Sequence, residues 1–318
     1  MSGLPIEAKK LMQRRFQVVT GKGGVGRTLI AASLASTLAK LGKKTLLLEV
    51  NAPNHCARVL GTEAIMGDPQ LVSENLYLCS MNPEDALREY ALMILKFPAL
   101  YRLVFENPLV KYFLRSVPSL GEVTMLGKAW FHATEVNDGG QAKYDHVIID
   151  APATGHALTF LSVARVVEKT VPRGPMRTEA GKMAALIEDQ KNSCAHVVFT
   201  PEEMPVTEGL ELSKKLQRDV GMKLGVYFMN KVRLADNADH ELSLVEKMKG
   251  FEELRPYAAA GFARKSNLEN QNTQLKRLFL QSENVVKVLE LRSVETDAHR
   301  VSKLSSDWLE LSAFGGEQ

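Results

Sequence analysis

Cysteine is scarce in this sequence: its 318 residues include only Cys56, Cys79 and Cys194. The three lie far apart and form no CxxC pair, so neither a zinc clasp nor a disulfide scaffold is indicated. Such cysteine usage is typical of a protein that stays in a reducing compartment. We therefore expect a cytoplasmic location.

Long apolar runs and a strong charge bias are missing as well. The N-terminal stretch MSGLPIEAKKLMQRR lacks the apolar segment of a secretory signal, and charges interrupt every apolar run of membrane-spanning length. The formal net charge is only +3, which is too small to indicate nucleic-acid binding by itself. We expect no nucleic-acid partner, and only peripheral or indirect association with membranes.

The remaining composition is that of an ordinary globular protein, with 45% hydrophobic and 24% charged residues and no internal repeat. Strand-like apolar runs alternate with helix-forming segments, which predicts an α/β fold with a mostly parallel sheet flanked by helices. We assign residues 1–318 to a single domain. Residues 84–132, rich in aromatic and aliphatic side chains and broken by prolines, are predicted to be an α-helical insertion within it.

The element boundaries follow from these patterns. The predicted strands are residues 16–20, 45–50, 76–81, 145–150, 195–200, 224–229 and 285–291. The predicted helices outside the insertion are residues 28–41, a segment from about 157, and residues 176–190, 205–220, 240–249, 268–281 and 294–311. Residues 1–15 are predicted to be a polar arm or a short helix, and residues 51–56 a loop.

The most informative segment is GKGGVGRT, residues 21–28, between a predicted strand and a predicted helix. Glycines let successive backbone N–H groups turn toward phosphate oxygens, and the helix N-terminus adds its positive end. The pattern GxxxxGK(S/T) is met, except that Arg27 replaces the usual lysine; Thr28 can place its hydroxyl on a magnesium ion. The alternative is a glycine turn without a ligand. The predicted nucleotide-binding residues are Gly21, Lys22, Gly23, Gly24, Val25, Gly26, Arg27, Thr28 and Leu29.

Two polar residues at strand ends extend this prediction. Asp150 ends the apolar run DHVIID, where an acid downstream of a phosphate loop can hold Mg²⁺ through water. Its alternative role is a helix cap or turn residue. Asn230 follows another predicted strand, and its amide offers both a donor and an acceptor to a purine. An Asn at a strand end is also a common turn former.

Lys22, directly after the first glycine, makes KGGVG resemble the deviant Walker A motif of P-loop ATPases. That group includes ArsA, the tail-anchored-protein targeting ATPases, MinD, ParA and the nitrogenase iron protein. The string DAPATGH, residues 150–156, resembles switch II of the ArsA and tail-anchored-targeting branch. FTPEEMPVTEG, residues 199–209, and LGKAW, residues 126–130, are similar to bacterial ArsA-like members. The cluster cysteines of the iron protein have no counterpart.

The resemblance implies a fold, an activity and a set of roles. It implies an ATPase that uses ATP and Mg²⁺ and forms dimers face to face across the nucleotide. Lys22 matches the signature lysine that reaches phosphates bound by the opposite subunit, and Asn230 matches the adenine-reading Asn. Thr28 and Asp150 match the magnesium site. Residues 51–58 match switch I and residues 150–156 match switch II.

Two departures bear on the catalytic set, which by this resemblance is Lys22, Arg27, Asn51 and Asp150. Arg27 replaces a compact ammonium with a planar fork. Asn51 stands where the family has the Asp that positions the attacking water, and an amide cannot take a proton. We therefore predict ATP binding with slow hydrolysis. Glu49 lies nearby, but strand alternation alone leaves open whether it reaches the site.

Partners and clients remain alternatives at this level. The chain is expected to form a homodimer, or a heterodimer with an intact ArsA-like paralogue in which it is a non-hydrolysing regulatory or scaffolding subunit. The insertion is either a groove for an apolar helix of a protein client or plain core packing, and we favour packing. We disfavour an arsenite-pump motor, because metalloid binding needs convergent thiolates and the three cysteines cannot be placed together.

Overall fold

The computed structural model describes residues 6–51, 54–65, 67–95, 119–233, 248, 251–290 and 296–313. Within them, apolar runs form eight strands of one sheet. The strands are β1 (Phe16–Gly21), β2 (Thr45–Val50), β3 (Gln70–Ser73), β4 (Leu76–Met81), β5 (His146–Asp150), β6 (Ser193–Phe199), β7 (Leu224–Val232) and β8 (Val285–Leu289).

Helices connect most of these strands. They are α1 (Ile6–Met12), α2 (Arg27–Lys40), α3 (His55–Leu60), α4 (Pro83–Leu95), α5 (Leu120–Thr134), α6 (Thr154–Thr170), α7 (Pro175–Ile187), α8 (Glu203–Lys215), α9 (Arg255–Phe279) and α10 (Asp297–Ala313). Helix α8 continues into a π-helical turn, Leu216–Val220, and a 3₁₀ turn, Glu252–Leu254, precedes α9. In the described part of the chain, no helix combines the length and apolar character needed to cross a membrane.

The strand order is β3-β4-β2-β5-β1-β6-β7-β8, and all neighbours are parallel except β3 with β4. The predicted α/β fold with a mostly parallel sheet is therefore confirmed. Strands β1, β2, β5 and β6 are buried along their whole length, as expected of parallel strands covered on both faces. Because β1 lies between β5 and β6, the loop after β1 emerges at the middle of the sheet.

Two hydrophobic clusters cover the two faces of the sheet. One contains apolar residues of α1, α2, α3 and α10, and the other contains residues of α4 to α9. Strand residues alternate between them: Leu47 and Ile148 lie in the first, while Leu48 and Ile149 lie in the second. This alternation fixes which side chains at the strand ends face α2.

Several predicted boundaries are wrong. Residues 51–56 were expected to be a loop, but α3 begins at His55, where the carboxylate of Glu49 supports its first turn. The edge strand β3 was not predicted, because its residues are mostly exposed and lack a continuous apolar run. Helix α9 begins at Arg255 rather than at residue 268. Asn230 lies within β7, which extends to Val232, instead of following a strand.

The insertion is described only in part. Helices α4 and α5 are its described ends. Residues 96–118 between them, with the prolines predicted to break the helices there, lie outside the described residues, and so does the helix predicted at 240–249 apart from residue 248. In α5, Met125, Leu126 and Ala129 are buried in the second cluster. This half of the segment packs against the sheet, and the groove for a client helix stays a prediction.

Candidate nucleotide site

The glycine-rich loop joins β1 to α2 through backbone shapes that only glycine adopts easily. Gly24 has φ 81° and Gly26 has φ 94°, both in the left-handed region that disfavours side chains. A Cβ at Gly26 would lie 2.3 Å from Nδ2 of Asn230, and one at Gly21 would lie 2.4 Å from the carbonyl oxygen of Val198. The glycine spacing therefore meets conformational and steric needs of this turn.

Thr28 and Asp150 meet at the start of α2, as the sequence predicted for a metal site. Asp150 is at the end of β5, where its Cα pairs with that of Val19 on β1. The Thr28 hydroxyl donates a hydrogen bond of 2.7 Å to Oδ2 of Asp150. Burial raises the pKa of the Asp150 carboxyl to about 6, although this hydrogen bond and the positive charge of Arg27 act in the opposite direction.

Arg27 folds toward the switch II segment. Its guanidinium donates a hydrogen bond to the backbone carbonyl oxygen of Ala151. Burial lowers the pKa of Arg27, and the negative charge of Asp150 partly offsets this effect. A guanidinium has five N–H donors, so this contact leaves others for a phosphate. Arg27 lines the same cavity as Thr28.

The end of β7 is attached to the phosphate loop by two side chains. Nδ2 of Asn230 donates to the carbonyl oxygen of Val25 at 2.8 Å, and its Oδ1 accepts from the backbone N–H of Lys231 at 2.9 Å. Nζ of Lys231 donates to the carbonyl oxygen of Gly24 at 3.3 Å. Both polar atoms of the Asn230 amide are thus engaged within the protein. Its adenine-reading role stays a prediction, and the contact of Lys231 was missed.

Lys22 points to another element. Its Nζ lies 2.7 Å from Oε1 of Glu208 on α8. The sequence marked Lys22 as the signature lysine but gave no signal for this partner. Its role across a dimer stays a prediction.

A cavity of about 970 Å³ opens in front of the loop. Gly26 and Thr28 line one side, while Val59 of α3 and Leu304 of α10 line another. Its volume is at the upper end of the roughly 300–1,000 Å³ typical of small-molecule sites. The part played by α10 was missed, because its sequence carries no motif and lies far from the loop along the chain.

A second acid, Glu49, lies close to Asp150. Glu49 is fully buried, and its Oε1 accepts a hydrogen bond of 2.9 Å from the backbone N–H of Cys56. The Cys56 thiol lies 3.6 Å from Oδ2 of Asp150. Burial, reinforced by the charges of Asp150 and Glu49, raises the pKa of this thiol well above its ordinary value. Glu49 thus projects from the sheet face that α2 and α3 cover.

Asn51, Cys79 and Cys194 do not join the group formed by Thr28 and Asp150. Asn51 is exposed, has φ 51°, and donates its backbone N–H to the carbonyl oxygen of Met81; its role in positioning water stays a prediction. Cys79 and Cys194 lie on β4 and β6, which three strands separate. The three thiols therefore do not converge on one point of the fold.

The residues at the start of α2 fit a magnesium ion shared with phosphates. Thr28 and Asp150 supply hard oxygen donors, the ligand type that Mg²⁺ prefers. The described residues contain no group of three or more His, Cys, Asp or Glu side chains able to hold a metal alone. A bound ion must therefore complete its shell with water and nucleotide oxygens. A fully buried oxygen, Oε2 of Glu49, has no hydrogen-bond partner among the described residues.

Comparison with known proteins agrees with this geometry. The model of the anion-transporting ATPase family matches residues 14–183, which include the loop, Asp150 and α6. The chain is 27% identical to ATPase BagA of Mycobacterium tuberculosis over 222 residues, 68% of this chain and 65% of that protein. It is 32% identical to ATPase ASNA1 homolog 2 of Paramecium tetraurelia over 156 residues, 48% of this chain and 44% of that protein.

A further relative is the arsenical pump-driving ATPase of Escherichia coli, 26% identical over 203 residues, which are 63% of this chain and 34% of that protein. The match thus spans less than two thirds of the length of each of these three relatives. The family match, by contrast, covers more than half of this chain and contains the whole loop-and-acid arrangement. This chain belongs to the anion-transporting ATPase family.

Proposed function

We propose that the chain binds ATP with Mg²⁺ in the 970 Å³ cavity, hydrolyses it slowly, and acts as a nucleotide-dependent dimer switch on a protein client. One observation carries the proposal: the Thr28 hydroxyl and the Asp150 carboxylate meet at 2.7 Å where the glycine loop enters α2. Loop, hydroxyl and acid are the parts that P-loop enzymes use to hold phosphates and their cation.

Different groups of the chain would bind different parts of the nucleotide. Backbone N–H groups of the loop and the N-terminus of α2 bind the phosphates. The remaining donors of Arg27 neutralise phosphate charge, while its contact with Ala151 ties that charge to switch II. When bound, Mg²⁺ would supply further positive charge to the transferring phosphoryl group. Val59 and Leu304 offer apolar surface to the nucleoside.

Slow hydrolysis follows from two side chains. Arg27 has a planar guanidinium where the pattern has the compact ammonium of lysine. This guanidinium already donates a hydrogen bond to the backbone of switch II. Asn51 cannot accept the proton of an attacking water. Loss of a positioned general base typically lowers the rate by about 10²–10⁴-fold. These two residues also favour a second candidate function, a non-hydrolysing subunit that pairs with an intact ArsA-like paralogue.

Lys22 and the family membership support the proposal of a dimer and a protein client. Lys22 is half-buried and held by Glu208 rather than by its own loop, so it is available to a second subunit once that contact opens. Nucleotide-driven dimer closure would then move switch II, which continues directly into α6. The proposed client is a protein.

Two measurements on the pure chain test the proposal. A fluorescent ATP analogue should bind in the presence of Mg²⁺ and bind more weakly to Thr28→Ala, with Thr159→Ala on α6 as the matched control. Single-turnover assays should show slow hydrolysis. Failure of the wild-type chain to bind the analogue would exclude the proposed function. Binding without any turnover, alone or with the paralogue, would favour the non-hydrolysing subunit.

A further inference from the structure

Only one of the two carboxylate oxygens of the buried Glu49 accepts a hydrogen bond from the described residues. Glu49 lies in the fully buried strand β2, and its Oε1 accepts the Cys56 N–H. Its Oε2 is buried and lacks a hydrogen-bond partner among the described residues. Leaving a buried acceptor without a partner is costly, and a buried charge without a counter-charge is costlier still. A partner that comes from outside the chain would remove this cost.

The sheet places Glu49 beside the predicted metal ligands. Its Cα pairs in register with that of Asp150 on the adjacent parallel strand, and in-register neighbours of parallel strands share a face of the sheet. Two residues earlier, Leu47 and Ile148 pack into the cluster under α2 and α3. Glu49 and Asp150 therefore project to the side of the sheet that holds Thr28.

Two neighbouring carboxylates repel one another, and a positive charge close to both offsets this repulsion. Asp150 already accepts the Thr28 hydroxyl and feels the charge of Arg27. The buried Oε2 of Glu49, by contrast, has no hydrogen-bond partner among the described residues. The chemistry that satisfies a free carboxylate oxygen here is a hard divalent cation or a water in its shell.

We infer that Glu49 is a second carboxylate of the nucleotide's metal site, and that its Oε2 holds a water of the Mg²⁺ shell. The inference rests on the proposed function, because the nucleotide supplies the other ligands of the ion. It also links the ion to switch I. The same carboxylate holds the first turn of α3 through Cys56, so ion binding bears directly on the position of that helix.

The test is Glu49→Gln in the full chain. Glutamine keeps a carbonyl oxygen for the Cys56 N–H and removes the charge. Mn²⁺ binding is followed by electron paramagnetic resonance with a non-hydrolysable ATP analogue, and binding of the analogue is also measured without metal. Groups that support metal ligands typically contribute about 10–100-fold to metal affinity, and we expect a loss of that size. Metal-free binding should stay within about twofold.

Glu211→Gln, which removes an exposed acid of α8, is the charge-matched control and should leave Mn²⁺ affinity unchanged. Wild-type Mn²⁺ affinity in Glu49→Gln, or equal losses with and without metal, would overturn the inference; analogue binding by the wild-type chain would still support the proposed function. If Glu49→Gln does not fold, Glu49→Asp gives the same comparison, with weaker Mn²⁺ binding and unchanged metal-free binding expected. A wild-type chain that binds no analogue would overturn the proposed function as well.

Discussion

The ammonium of Lys22 lies 2.7 Å from the carboxylate of Glu208, although 186 positions separate them in the sequence. The side chains are 32% and 35% exposed, so water weakens their attraction. The pair joins the phosphate loop to α8, whose apolar residues pack on the other face of the sheet from α2. A lysine that is to reach a second subunit must first leave this acid.

We therefore predict that Glu208→Gln strengthens nucleotide-dependent dimerisation. A partly exposed ion pair contributes about 0–1 kcal/mol. A homodimer releases two such pairs, so the dimer association constant should rise by up to about 30-fold. Sedimentation velocity with a non-hydrolysable ATP analogue measures it. Glu211→Gln on the same helix is the control, and a weaker dimer in Glu208→Gln would show that the contact serves the dimer instead.

Arg27 and Asn51, the two positions that depart from the expected family pattern, can be changed back together. Arg27→Lys returns a compact ammonium and Asn51→Asp returns a carboxylate that can position and deprotonate water. If these residues limit the reaction, the double variant should hydrolyse ATP about 10²–10⁴-fold faster in single-turnover assays. The same pair of changes in an Asp150→Asn background should give no gain. An unchanged rate in the double variant would show that other groups limit the rate of hydrolysis.

Gly26 should not accept a side chain without loss of stability. Its φ is 94°, and an added Cβ would lie 2.3 Å from Nδ2 of Asn230. A left-handed non-glycine residue costs about 1–2 kcal/mol, so Gly26→Ala should lower the free energy of unfolding by about 2 kcal/mol or more once the clash is added. Denaturant titration measures this change.

Gly23 provides the matched comparison, since it is exposed, has no positive φ and has open space around an added Cβ. Gly23→Ala should change the free energy of unfolding by no more than about 0.5 kcal/mol. Equal losses in the two variants would contradict the steric account.

The stability of the fold should fall on acidification partly through His196. Burial, with a smaller contribution from the positive charge of Arg14, lowers the pKa of His196 from 6.5 to about 3. Its Nδ1 accepts the backbone N–H of Val226 and its Nε2 lies 2.9 Å from Oε1 of Gln17, so the neutral ring is the one that fits. Between about pH 3 and pH 6.5, His196 is therefore neutral in the folded chain but protonated in the unfolded chain.

This contribution to stability is therefore complete above about pH 6.5 and declines toward pH 3, by up to about 1.4 kcal/mol per pH unit. His196→Gln should flatten the dependence of unfolding free energy on pH between about 6.5 and 4. Urea titrations at several pH values measure the slope. The exposed His156 supplies the control, because His156→Gln should leave the slope unchanged; a wild-type slope in His196→Gln would contradict the assignment.

Much of the fold could be predicted because its signals are local. Continuous apolar runs mark strands buried on both faces, and β2 and β4 begin and end where those runs do. Exposed elements gave no such signal: β3 is a short edge strand, and the first half of α9 is largely exposed. Neither has the hydrophobic periodicity on which sequence prediction depends.

The sequence by itself determined the loop, its need for glycine, and the identity of Thr28 and Asp150 as candidate ligands, since these follow from residue types at fixed spacings. The tertiary structure decided which distant groups join them. Thr28 and Asp150 meet across 122 positions because β1 and β5 are neighbours in the sheet. Glu49 faces the same site because β2 pairs with β5 in register, and no local pattern encodes strand order or register.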